Sequence, residues 1–196
     1  MTAYIPRKAL RRLAFAATVS LGMAAAAQAQ SNFNGWLCCN MRTDGGWISE
    51  INYDSARRVI PAGTPVQITG YGRYRVHALM NGEAQDLGND YSREIDMGTF
   101  AHRYVVPYNP QRRLRAAPPA VQQAVRASRV RQGMTREQVA MSLGYPIANE
   151  TPSLDSRVWK YWRSSGEEFH VVFNRRGVVE YVRADDPNLR ARVTAR

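Results

Sequence analysis

The 196-residue chain has little cysteine, almost no lysine beyond its first dozen residues and no apolar run long enough to span a bilayer after Ala27. Its only cysteines, Cys38 and Cys39, are adjacent. An ordinary intramolecular bridge is closed to such a pair, because Cα atoms joined by a trans peptide lie about 3.8 Å apart, short of the usual disulfide range of about 4.4–6.8 Å. A vicinal disulfide, an intermolecular bridge or two buried thiols remain open, so Cys38 and Cys39 are a candidate redox pair. The three histidines, His77, His102 and His170, show no ligand spacing near them, so no metal is expected. No Gly-rich phosphate loop occurs either. Cys38 or Cys39 with His77 or His102 and Asp90 has the residue types of a thiol site, but no spacing joins them as nucleophile, base and orienting group. No catalytic residue and no cofactor are expected; the chain reads as a binding protein.

The first 29 residues have a basic start (Arg7, Lys8, Arg11, Arg12), an apolar stretch from Leu13 to Ala27 and a small-residue end, Ala27-Gln28-Ala29. That is the anatomy of a secretory signal peptide, with cleavage expected between Ala29 and Gln30. The apolar stretch is shorter than the roughly 20 residues a spanning helix needs. A lipoprotein would carry cysteine directly at the cut, whereas the first cysteine here follows Trp36-Leu37. A periplasmic protein, peripheral to the outer membrane and without a lipid anchor, is expected.

Charge divides the remainder. From Gln30 to Pro110 there are seven basic and eight acidic residues; from Gln111 to Arg196 there are sixteen and eight. Only Lys160 is lysine among these basic residues, and arginine favours bidentate contacts with carboxylate or phosphate. The basic half suits an acidic protein face, anionic lipid headgroups or another envelope polyanion; export argues against nucleic acid.

Gly46 to Val106 reads as β-structure. Trp47, Ser49, Ile51 and Tyr53 alternate with their neighbours, Pro61 to Pro65 is a turn, Val66 and Ile68 resume the period of two, and Asn81-Gly82 supplies a tight hairpin turn. A small barrel or sandwich is expected over residues 30–106. The run Val59-Ile60-Pro61-Ala62-Gly63-Thr64-Pro65-Val66-Gln67-Ile68 resembles the opening of bacterial SH3-like domains. Such a domain implies binding of peptidoglycan or a peptide. Residues 107–120, with Pro107, Pro110, Pro118 and Pro119 among arginines, are read as a stiff linker and domain boundary, with Gly46–Val106 and Val121–Arg183 expected to fold separately.

After the linker, Val121, Ala124 and Val125 mark one side of a short helix. Thr135 and Gln138 then form a capping box, Met134 and Val139 a hydrophobic staple, and Gly144 with Pro146 a stop. Three strands follow: Val158–Trp162, Phe169–Phe173 and, after the turn Asn174–Gly177, Val178–Val182. The order predicts two helices packed on a three-stranded antiparallel sheet, an α+β fold. The string Gly133-Met134-Thr135-x-x-Gln138-Val139-x-x-x-Leu143-Gly144-x-Pro146, with Trp159-x-Tyr161 and Val172-Phe173-x-x-x-Gly177-x-Val179, resembles the SmpA/OmlA family that includes BamE. This domain is placed at residues 121–185, before a basic tail at 186–196. The resemblance implies a cofactor-free domain that binds outer-membrane assembly components or supports envelope integrity. Two features depart from the family pattern: the absent lipidation cysteine and the added β-rich half. Trp159, Tyr161, Arg163, Arg175 and Arg176 are the expected partner or lipid contacts.

Deleting Met1–Ala29 is predicted to leave the protein in the cytoplasm, checked by cell fractionation; a periplasmic truncated protein would refute the export reading.

Overall fold

The computed structural model describes residues 32–55 and 58–196; the predicted leader and its cleavage site lie outside the described residues. The chain folds as mixed α+β. The N-terminal half contains β1 (Asn34–Leu37), β2 (Met41–Thr43), β3 (Trp47–Ser49), β4 (Arg58–Ile60), β5 (Pro65–Gly72), β6 (Arg75–Met80), β7 (Glu83–Gly88), α1 (Met97–Tyr104) and β8 (Val105–Val106). Six of these strands form a sheet in the order β3-β7-β6-β5-β1-β8, while β2 and β4 pair separately. Only the β3–β7 contact is parallel within the larger sheet. Alternation along β5 and β6 buries Val66, Ile68, Val76, Ala78 and Met80. The β6–β7 turn uses Asn81 and Gly82 at φ 52° and 85°, the positive pair that a right-twisted two-residue hairpin demands.

The β-only reading of residues 46–106 fails in two places. β3 ends at Ser49 because Asn52 turns the chain at φ 58°, a region where asparagine is tolerated better than most residues. Residues 97–104 are helical: Asp96 accepts from the Thr99 amide, and Met97, Phe100, Ala101 and Tyr104 fall on one buried face.

The Pro/Arg-rich stretch is not an extended spacer. It folds as α2 (Gln111–Ala116), whose Leu114 is buried in the C-terminal core, and runs into α3 (Pro119–Arg126). Pro119 suits the first helical position, where a missing N–H is harmless. Next comes α4 (Arg136–Leu143), with the Thr135–Gln138 capping box formed in both directions. β9 (Val158–Ser164), β10 (Glu167–Phe173) and β11 (Val179–Arg183) make an antiparallel sheet in the order β11-β10-β9. The last segment is also folded: α5 (Pro187–Val193) buries Leu189 and Val193, and the Val130 amide donates to the Val193 carbonyl at 2.8 Å.

The halves meet at the C-terminal end of α4. A helix leaves its last carbonyls without intrahelical partners, and here the N-terminal half supplies donors. The Asn40 amide donates to Met141 O at 2.9 Å, and Asn52 Nδ2 donates to Leu143 O at 2.8 Å. Gly144 then leaves the helix at φ 83°, where an added Cβ would crowd the Met41 sulfur at 3.2 Å. Asn40 reaches further, donating through Nδ2 to Val125 O at 2.6 Å and accepting the Ala62 amide through Oδ1 at 3.0 Å. Both asparagines are buried.

Asn52→Gly is predicted to lower unfolding free energy by about 2 kcal/mol, because it keeps the positive φ but leaves buried polar groups unpaired. Asn52→Ala should lose roughly 1 kcal/mol more through left-handed strain. Urea titration checks both; parental stability for the glycine variant would remove Asn52 from the junction.

Candidate binding surface

The register of the C-terminal sheet sorts its side chains into two faces. Tyr161 pairs with Phe169 and Trp159 with Val171, and all four are buried against the helices. The Tyr161 ring stacks on Phe169 with centroids 5.5 Å apart, and its hydroxyl donates to Gly144 O at 3.0 Å. Burial holds the Tyr161 phenol well above its ordinary pKa. Trp159 meets Phe173 edge-on at 4.9 Å and donates from Nε1 to Leu154 O at 3.2 Å. Neither residue is a surface contact as expected, because both sit on the inward face of a strand with period two.

Arg163 continues that inward alternation, and it too is buried rather than exposed, at 8 %. Its Nη2 lies 2.5 Å from Asp54 Oδ2, while Arg42 Nη2 lies 2.8 Å from Asp54 Oδ1. The Asp54 amide also donates to Arg163 O at 3.0 Å. One carboxylate from the N-terminal half therefore bridges two guanidinium groups, one from each half. Burial lowers the Arg163 pKa to about 10, opposed by the attraction of Asp54. Arg163 Nε and Arg42 Nη1 are buried without hydrogen-bond partners, and two guanidinium cations share the single Asp54 carboxylate.

Arg175 and Arg176 are exposed as expected. They occupy the β10–β11 turn, where Asn174 Oδ1 accepts the Arg176 and Val178 amides at 2.9 and 3.2 Å. The outer sheet face beginning at this turn was missed in the sequence reading. Its first row is Val158, Val172 and Tyr181, paired across the strands; Val158 is 41 % exposed and Tyr181 51 %. The second row is Lys160, His170 and Arg183. Lys160 is held by Glu168 at 2.7 Å and Glu150 at 3.3 Å. Burial and the neighbouring Arg183 cation keep His170 below its usual pKa. An apolar row, exposed at Val158 and Tyr181 and buried at Val172, thus borders a row in which Lys160 is paired with carboxylates and Arg183 is the exposed cation. The signal was available, since each strand's outward residues alternate with the inward aromatics.

Cys38 and Cys39 are joined to each other as a vicinal disulfide, one of the three states the sequence leaves open. Cys39 is fully buried and Cys38 is 8 % exposed. Among the described residues no group of three His, Cys, Asp or Glu side chains could hold a metal, and no helix is long and apolar enough to cross a membrane.

Two helices set against a three-stranded antiparallel sheet, its inner face sealed by aromatics, define a small α+β domain. The family model for the outer membrane protein assembly factor BamE domain matches residues 122–183. This C-terminal segment is therefore a BamE-family domain, running from within α3 to the end of β11. The match covers about a third of the chain and leaves the N-terminal half outside it, so the SH3-like resemblance there gains no support. Comparison with curated proteins and with solved structures found no match.

Arg163→Ala is predicted to destabilise the protein by about 3–5 kcal/mol, the usual loss when one member of a buried ion pair is removed. The double variant Arg175→Gln/Arg176→Gln should stay within about 0.5 kcal/mol of the parent. Thermal and urea unfolding distinguish them; equal effects would contradict the assignment of Arg163 to the core and of the turn arginines to the surface.

Proposed function

We propose that this chain is a non-catalytic, exported protein of the cell envelope, which supports outer-membrane protein assembly or envelope integrity by binding proteins or anionic lipid. The observation that carries this reading is the outer sheet face of the BamE-family domain. Val158 and Tyr181 are exposed there, beside the Lys160–His170–Arg183 row and next to the turn bearing Arg175 and Arg176. Exposed aromatic and aliphatic side chains supply contact area, and nearby arginines give orientation and faster encounter with an acidic face. A location in the periplasm, peripheral to the outer membrane, follows from the same reading and from the leader-like first 29 residues.

A second reading places the contact in the N-terminal half, as a wall-associated module for peptidoglycan or peptide. It is favoured by a groove of about 500 Å³ lined by apolar Trp36, Pro65 and Leu79 together with polar Asn34, Gln67 and Asn81. Retention on purified sacculi that is lost in Trp36→Ala would support this reading.

For the first reading, a photocrosslinking amino acid at position 181 is predicted to give adducts with outer-membrane assembly components in cells, identified by mass spectrometry. The same probe in the exposed β5–β6 turn, at position 73, serves as control. Adducts absent at 181 but present at 73 would overturn the sheet-face assignment.

A further inference from the structure

A recess lined by none of the sheet-face residues lies between α3 and α5. It has a volume of about 730 Å³, within the range of pockets that hold a ligand or a chain segment. Its apolar lining is made of small residues: Ala120, Ala127, Ala191 and Ala195, with Pro187. Arg129, Arg190 and Arg196 also line it, and no acidic side chain does.

These arginines differ from their neighbours on the same elements. Arg192, two positions from Arg190, pairs with Glu167, and Arg126, three positions before Arg129, bonds Gln122 at 3.0 Å. Arg129, Arg190 and Arg196 have no ion pair among the described residues. Three arginines line one recess with no acidic side chain among the lining residues, a positive lining that attracts an anion.

The walls are fixed. Leu189 and Val193 anchor α5 in the core, and Val130 clasps its end from both sides, donating to Val193 O and accepting the Ala195 amide, each at 2.8 Å. A preformed groove loses little conformational freedom on binding. Moreover, α5 lies beyond residues 122–183 of the family match, so the recess depends on an element outside the matched domain.

We propose that the α3–α5 groove binds an acidic, extended polypeptide segment of a partner protein. Carboxylates would pair with Arg129 and Arg190, and small side chains or backbone would lie against the alanines of the lining. Arginine forks match carboxylates in bidentate geometry. The recess favours a polypeptide over a membrane, because a planar headgroup surface cannot follow a concavity between two helices. This inference deepens the protein-binding reading above and rests on it, but it uses a different surface.

The test uses the full chain from Gln30, with a fluorescein-labelled twelve-residue probe of repeating Glu-Ala-Asp-Ala and its Gln-Ala-Asn-Ala counterpart. Fluorescence anisotropy should show binding of the acidic probe alone, weakening as added salt screens exposed charges. Arg129→Gln/Arg190→Gln is expected to weaken binding by about tenfold or more, given the strength of charge-assisted contacts. Ala191→Trp keeps every charge, adds bulk at an exposed lining residue and should weaken binding similarly; circular dichroism verifies that both variants fold. Arg175→Gln/Arg176→Gln should bind like the parent. Equal binding by parent, charge-deleted and recess-filled proteins would overturn the proposal. So would no binding of the acidic probe together with groove-dependent binding to anionic phospholipid vesicles, which would make the recess a headgroup site. Neither result would alter crosslinking from position 181, so this failure is separable from failure of the sheet-face reading.

Discussion

The C-terminal carbonyls of α4 have no partners within their own helix, and the way they are satisfied governs the arrangement of the molecule. Asn40 and Asn52 reach them from the N-terminal half, while Tyr161 reaches Gly144 O from the sheet beneath. The BamE-family segment is therefore completed by residues outside it. An unpaired buried carbonyl costs about 1–3 kcal/mol, so separating the halves would expose several such groups to water or leave them unpaired. Residues Gln111–Ala116 reinforce the arrangement: Leu114 joins the C-terminal core, and Gln111 Nε2 donates back to Ala62 O at 2.6 Å.

Two buried ionisable clusters lie along the same junction and act in different ways. Asp54 between Arg42 and Arg163 ties the halves by charge, and its removal would leave two guanidinium groups in a poorly solvated site. Glu50 is also buried. It accepts from the Tyr91 and Ser92 amides and from the Ser92 hydroxyl, whose oxygen in turn accepts the Ala148 amide at 2.9 Å. Burial outweighs these hydrogen bonds and raises the Glu50 pKa. A carboxyl raised on folding contributes stability that is complete below its unfolded pKa of about 4.3 and is lost as pH rises through the folded value. Glu50 thus opposes stability at neutral pH, whereas its hydrogen bonds fix the loop that carries Ser92.

The sequence was most informative where one residue has one local role. Thr135 and Gln138 box a helix start, Gly144 ends that helix, and Asn81-Gly82 closes a hairpin; each acts over a few residues. The C-terminal sheet was equally legible because inward aromatics recur with period two. That same period places Arg163 beside Trp159 and Tyr161, and its charge masked the pattern. Helix α1 was hidden within a β-rich reading although Asp96, Met97, Phe100, Ala101 and Tyr104 carry a cap and a helical face. Helices α2 and α5 were obscured by arginines surrounding few apolar anchors, Leu114 in the first and Leu189 with Val193 in the second. The Asp54–Arg163 bridge and the asparagine caps were not legible at all, since they join residues far apart in the chain.

Under this account the BamE-family domain and the β-rich half unfold as one cooperative unit. Hydrogen exchange followed by mass spectrometry across a urea series measures this directly, by comparing peptides from β5–β6 with peptides from β9–β10. The account predicts a common midpoint and a common denaturant dependence for the slowest-exchanging amides of both sheets. Two separate transitions, with one sheet protected after the other has opened, would contradict it.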